Sequence, residues 1–237
     1  MDFRGMIREW WNDLTDMIFP HLCEACGTPL THGEELICTR CRYELPRCRI
    51  HTEPFNILHQ RIAGHAPIER AAAYFYYYRQ SRHATLIHSA KYRGRPRIAA
   101  VLARNMAEEI APDGFFDGID LIVPVPMHRL KELRRGYNQS RVIADALGKA
   151  TGIEVGDALV ATRRHGTQTR RGPYLRWLNS RGIYAVRDGV PIEGRHVLVV
   201  DDVVTTGATM LACCEAIHRG APTATISVLT LALTEQH

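Results

Sequence analysis

With 237 residues, 46% of them apolar, and a net charge of +5, the chain can bury one good core with a small appendage, and the mild overall charge decides nothing about a nucleic-acid partner. No apolar run approaches the roughly 18 to 20 residues that cross a bilayer, and MDFRGMIREWW carries charges where a secretory signal needs an apolar stretch, so the expectation is a cytoplasmic protein without a membrane span. An odd cysteine count, seven, with two CxxC pairs near one end, fits thiolates in a reducing compartment better than disulfides.

Ile7, Trp10, Trp11, Leu14, Met17 and Ile18 recur at helical spacing and stop before Pro20, which predicts a short amphipathic helix. Its polar face is mostly acidic or neutral, which favours packing on the rest of the protein over a membrane-surface role. Cys23-Glu-Ala-Cys26 and Cys38-Thr-Arg-Cys41 follow. A two-residue gap lets both sulfurs of a turn face one ion while backbone amides screen them, and four soft thiolates suit tetrahedral Zn(II). Four protein ligands leave no open coordination position, so the site reads as a structural staple; redox-active thiols are the alternative. Cys48 and His51 lie nearby in sequence and are expected to be bystanders.

Residues 66–78 are aromatic and strand-like, and a turn after His88 is expected to expose Lys91 beside Gly94. Residues 98–110 carry helical periodicity. Asp120 to Pro126, DLIVPVP, predicts a buried strand ending in prolines, with a helix over 138–150 and a short strand at 153–155. An Arg- and Gly-rich connection occupies 163–182. A strand without polar alternation follows at 196–200, then a helix over 207–219 that buries Cys213 and Cys214, then an apolar strand at 225–232. Strands buried on both faces and separated by helices imply an α/β fold, a mostly parallel sheet flanked by helices, over residues 51–237. Residues 1–50 hold the amphipathic helix and a small zinc-ribbon-like module.

Charge is concentrated. Between Arg129 and Arg181 twelve Lys or Arg stand against four acids, a local balance of +8 that leaves −3 for the remainder. A focused positive region attracts polyanions, either a phosphate-rich small molecule or a nucleic-acid backbone.

In an open parallel sheet, ligands bind beyond the carboxyl ends of the strands, where Asp201-Asp202 follows Val197 to Val200. Thr205-Thr-Gly-Ala-Thr209 then starts a helix, whose free N–H groups and dipole form an anion site. Carboxylates accept hydrogen bonds from vicinal sugar hydroxyls while an amide cradle takes a phosphate, so adjacent elements can hold both ends of a phosphorylated ribose. An apolar strand, Asp-Asp, then Thr-Thr-Gly-x-Thr is similar to the phosphoribosyl-pyrophosphate (PRPP) motif of type I phosphoribosyltransferases. Together with Lys91-Tyr-x-Gly94, DLIVPVP, Arg135-Gly-Tyr-Asn-Gln-Ser140, Gln168-Thr169, Arg176, Asn179 and the CxxC pairs, it resembles the ComF family, the competence protein F and GntX-like proteins.

The resemblance implies a zinc-binding N-terminal module joined to a type I phosphoribosyltransferase fold, in a group associated with DNA uptake during natural transformation. By it, Asp201 and Asp202 would bind the ribose hydroxyls of PRPP with Mg(II), and Thr205, Thr206, Gly207, Ala208 and Thr209 the 5-phosphate. Val125, Pro126 and Met127 would bind pyrophosphate through backbone amides. The expected reaction displaces pyrophosphate at the anomeric carbon, and Lys91, Arg134 and Arg135 are the candidates for neutralising the leaving group. The connection bearing Gly166 and Gly172 is expected to close over substrate; its HGTQTRRGPY stretch is richer in Arg and Gly than in simpler relatives. His128 reads more readily as a surface histidine than as a general base. The acceptor is unknown, and residues 51–115 are the candidate hood that would recognise it. The rival reading is a non-catalytic protein that senses PRPP or binds single-stranded DNA, with Tyr137, Tyr174 and Trp177 for stacking and the competence machinery as partner. Paired carboxylates weigh against DNA alone, since acids repel phosphates. Oligomeric state is not legible.

Overall fold

A computed structural model describes residues 20–62, 66–92, 94–162 and 183–235. The helix predicted around 7–18 and the connection at 163–182, with Tyr174 and Trp177, lie outside these residues. The strands are β1 (Ala71–Tyr77), β2 (Leu121–Pro124), β3 (Glu154–Val155), β4 (Leu159–Ala161), β5 (Tyr184–Val186), β6 (His196–Val204) and β7 (Thr225–Thr234). The helices are α1 (Thr39–Tyr43), α2 (Ile57–Ile62), α3 (Ala84–Tyr92), α4 (Pro96–Ile110), α5 (Arg129–Arg135), α6 (Gln139–Thr151) and α7 (Ala208–Gly220). Five strands form one sheet in the order β1-β7-β6-β2-β3, every neighbouring pair parallel. β4 and β5 pair antiparallel in a separate ladder.

The unbroken apolar runs of β6 and β7 follow from burial on both faces. Leu198 and Val200 face one apolar cluster with Ile98, Leu102, Met106, Ile143 and Leu147 of α4 and α6. Val197 and Val199 face the other, with Leu58, Ile62, Met210 and Ile217 of α2 and α7. Each such side chain stabilises the fold by about 1.5–3 kcal/mol, so a polar residue at any of these rungs would have no solvated side to occupy. Cys213 and Cys214 are buried in the second cluster, as their apolar surroundings predict. Among the described residues, no helix is long and apolar enough to cross a membrane.

Three features depart from the sequence reading. The strand expected at 196–200 continues to Val204, because β7 remains its partner through Asp201↔Thr230 and Val204↔Leu233 after β2 has ended at Pro124, opposite Val200. Asp201 and Asp202 therefore extend from a strand, one step beyond its shorter neighbour. The turn expected at Lys91 is the last turn of α3, a helix of 9 residues whose apolar stripe, Leu86, Ile87 and Ala90, is too short to show a period. The helix α5 has no counterpart in the sequence pattern, because Leu130 and Leu133 are 51% and 79% exposed and mark no buried face.

The cysteine-bearing segment packs into the first cluster through Cys23, Ile37, Cys38, Cys41 and Leu45. Residues 46–48 then run beside β1, with Cys48 N–H donating to Tyr74 O (3.0 Å) and Tyr76 N–H to Pro46 O (2.8 Å). Arg47 makes two bonds to Glu109 (2.7 and 2.6 Å) and lies 4.6 Å from the centre of the Tyr74 ring, tying this segment to α4.

Candidate functional site

The sulfurs of Cys23, Cys26, Cys38 and Cys41 all lie within 4.8 Å of one another. Cys26 and Cys38 Sγ are 3.7 Å apart, close to the ~3.8 Å that tetrahedral geometry gives for zinc–sulfur bonds of about 2.3 Å. The N–H of Cys38 points at Cys23 Sγ (3.3 Å) and that of Cys41 at Cys38 Sγ (3.4 Å), as expected of amides screening thiolates. Thr28 beside the exposed Cys26 holds its thiol down to about 6, whereas burial pushes those of Cys38 and Cys41 up. Four thiolates this close repel one another, and a divalent soft cation is the compensation this donor set fits. Cys48 and His51 stand outside the cluster; His51 Nε2 lies 2.7 Å from Asp113 Oδ2.

The second site is a cleft of about 250 Å³ at the carboxyl ends of β2 and β6. Val125, Pro126 and Met127 form one wall, and Lys91, Arg135, Asp201, Asp202 and Thr209 also line it. Pro124 ends the β2 ladder, and Val125 N–H still donates to Val200 O (2.9 Å), which sets the following loop beside the two carboxylates. Asp201 Oδ1 accepts from Ser140 Oγ and from the N–H of Asp202, both at 2.9 Å. Lys91 Nζ lies 3.0 Å from Asp202 Oδ2, and the side chains are 22% and 15% exposed. Burial, then the adjacent charge of Asp202, pushes the Asp201 carboxyl up to about 7, against the opposing pull of Lys91, the Asp202 N–H and Ser140. One lysine is thus set against two carboxylates in a poorly solvated corner, an arrangement suited to a hard divalent cation or to sugar hydroxyls.

Gly207, with φ +80°, makes the turn between β6 and α7. Its N-cap position contributes no side chain, and the first helical bond is Leu211 N–H to Gly207 O at 2.9 Å. Among the described residues, the N–H groups of Thr206, Gly207, Ala208 and Thr209 meet no backbone acceptor, the condition for an anion cradle at a helix start.

The remaining candidates divide. Arg135 lines the cleft and its Nη1 donates to Gln139 Oε1 at 3.2 Å. Arg134 is exposed on α5 and is not among the lining residues, because its neighbour turns inward at that point of the helix. Thr205 borders a separate cavity of about 490 Å³, with Tyr77, Tyr78, Arg79, Gln80, Thr234 and Glu235. His128 lines the cleft, and its Nδ1 caps α5 by accepting from Leu130 N–H at 3.3 Å, a structural task. Tyr137, a candidate for base stacking, instead donates its hydroxyl to Ala90 O and pins α3 to the start of α6.

Sequence reasoning missed three positioning residues. Asn138 caps α6 by accepting from Ser140 N–H (3.1 Å) and donates to Val125 O (3.0 Å), so it joins the loop after β2 to the helix that orients Ser140. An Asn before a helical run is a readable capping signal. Ser140 is 61 residues from its partner Asp201 and Arg61 is 144 from Thr205, and nothing local announces either contact.

Residues 95–236 match the model of the phosphoribosyl transferase domain. The chain is 32% identical over 193 residues to the DNA utilization protein YhgH of Escherichia coli (strain K12), covering 80% of this chain and 74% of that protein. It is 31% identical over 96 residues to Competence protein F of Haemophilus influenzae, 38% of this chain and 41% of the other. It is also 24% identical over 214 residues to Competence protein ComFC of Bacillus subtilis (strain 168), 89% and 77% of the respective chains.

Proposed function

Because the chain belongs to the phosphoribosyl transferase domain family, we propose that the cleft binds Mg(II)-PRPP and transfers its phosphoribosyl group to an acceptor with release of pyrophosphate. The observation that carries this reading is the pairing of Asp201 and Asp202 with the N–H groups of residues 206–209, which meet no backbone acceptor among the described residues. Asp201 and Asp202 hold the ribose hydroxyls, Thr205 to Thr209 the 5-phosphate, and the backbone of Val125, Pro126 and Met127 the pyrophosphate. Mg(II), when bound, neutralises diphosphate charge. Lys91 and Arg135 supply further cations at the cleft, so charge develops on the leaving group beside fixed positive groups. Ser140 keeps one Asp201 oxygen in place. Residues 51–115 are the acceptor region of this reading. Pyrophosphate release from Mg(II)-PRPP across a panel of nucleobases and amines tests it; PRPP binding without release from any of them would restrict the protein to binding.

Zinc in the four-cysteine cluster, within residues 1–50, staples the N-terminal module to the transferase domain of residues 51–237, and a cytoplasmic, reducing setting suits those thiolates. Metal analysis of chelator-free protein should give close to one zinc per chain.

A second reading, single-stranded DNA binding, draws on α5, where Arg129, Lys131 and Arg134 are all exposed beside Leu130 and Leu133. The relative's name, DNA utilization protein, points the same way. Binding by this helix should weaken steeply with salt and on Arg129→Ala/Arg134→Ala; salt-independent binding would argue against it.

A further inference from the structure

We infer that Arg61, a residue of α2 far from the cleft in sequence, is the positioning residue of the anion cradle and sets its affinity for a phosphomonoester. The inference rests on the ribose-phosphate reading of the site.

The helix α2 is fixed at both ends. At its start, the buried Asn56 donates to Ile50 O and Ala71 O, each at 2.8 Å, and its Oδ1 accepts from Leu58 N–H (3.0 Å) and His59 N–H (3.2 Å). Leu58 and Ile62, both fully buried, seat the helix in the cluster shared with α7. At its end, Arg61 Nη1 donates to Thr205 O at 3.0 Å and to Thr234 O at 2.6 Å, bridging the ends of β6 and β7. Among the described residues Arg61 makes no ion pair, so its charge is left uncompensated next to the start of α7.

Two consequences follow for the cradle. A peptide group is planar and trans, so its C=O and N–H point in opposite directions. Holding the Thr205 carbonyl on Arg61 turns the Thr206 N–H to the opposite side and fixes the first donor of the cradle. The main chain of α2 also closes on the turn itself: a Cβ at Gly207 would lie 2.9 Å from Arg61 O and 3.0 Å from Ile62 Cγ2. The guanidinium adds positive potential that favours a dianionic phosphate at the helix start. Carbonyl partners take two hydrogen bonds from Arg61 without neutralising its charge.

The test uses the full chain and three probes: Mg(II)-PRPP, ribose 5-phosphate and Mg(II)-pyrophosphate, with affinities read by calorimetry. Arg61→Gln should weaken the two phosphomonoesters about tenfold or more, the scale of one charge-assisted hydrogen bond. Mg(II)-pyrophosphate, which has no phosphomonoester, should bind as before. Arg61→Lys, which keeps the charge and one carbonyl contact, should recover part of the loss. Equal losses for all three probes would show a general structural role, and unchanged affinity would show none; either overturns the inference while leaving the ribose-phosphate site standing. Wild-type protein that binds neither phosphomonoester overturns that site and this inference together. Should Arg61→Gln lose its folding transition, Arg61→Lys carries the same test, with a smaller selective loss expected and an unselective one contradicting it.

Discussion

The sulfur cluster and the cleft proposed to hold a ribose phosphate are built on opposite plans. The cluster draws all four donors from the stretch between Cys23 and Cys41, and its screening amides belong to the same stretch. The cleft draws Lys91 from the end of α3, a loop wall from the end of β2, Ser140 from α6 and its carboxylates from β6. A site contained in one short segment depends on its ion for order, because that segment can bury little apolar surface alone. A site assembled at the edge of a packed sheet is ordered by the sheet, and its ligand adds only binding energy. On this proposal the chain has one centre whose loss should threaten the fold and another whose loss should threaten function.

The largest effect should come from the first. On the zinc reading of the cluster, chelation or Cys41→Ser should withdraw a contribution of order 10 kcal/mol, comparable to a whole domain's stability. Since Cys23, Cys38 and Cys41 sit in the same cluster as α4, a large fall in melting temperature is expected, and an unchanged transition would break the contrast. Gly207→Ala comes next. It forces a left-handed φ on an L residue and places a Cβ against Arg61 O, costing about 1–3 kcal/mol by denaturant titration, together with a loss of phosphate affinity.

Smaller effects fall on the cleft alone. Ser140→Ala removes one donor to Asp201 and should cost about 1 kcal/mol in stability at most. Its sharper signature is in pH. The folded-state pKa of Asp201 is raised, so this group favours folding most at pH below its ordinary 3.8, and that contribution is lost as pH rises through about 7. Ligands that need the carboxylate behave oppositely: Mg(II)-PRPP affinity should fall as pH drops below about 7. Without the Ser140 hydrogen bond, that midpoint should move upward in a calorimetric pH series, whereas a downward move would contradict the assigned role. Arg134→Ala, on the outer face of α5, should change stability by less than about 0.5 kcal/mol and leave PRPP affinity nearly unaltered.

The same contrast explains what could be read from the sequence. Spacing alone announced the sulfur cluster, because its geometry is local. Continuous apolar runs announced β6 and β7, because burial on both faces leaves no alternation. The carboxylate pair and the helix start were legible as neighbours in the chain, although the strand bearing Asp201 continues to Val204 through its partner β7, which a single-segment reading does not register. Lys91 was legible as a cation and not as the helical partner of Asp202. Ser140 and Arg61 act by hydrogen bonds to partners 61 and 144 residues away, and α5 carries its leucines outward; no local pattern encodes either fact, whereas the cap that Asn138 places on α6 is local.

The central claim is that Asp201 and Asp202 form a ribose-phosphate site on a scaffold that stands without its ligand. It is tested most directly by the melting temperature of the wild type and of Asp201→Asn/Asp202→Asn, each with and without Mg(II)-PRPP. The account predicts a ligand-dependent rise in the wild type, growing with PRPP concentration, and none in the double variant. A wild type that Mg(II)-PRPP does not stabilise, or a double variant stabilised as fully as the wild type, would contradict it.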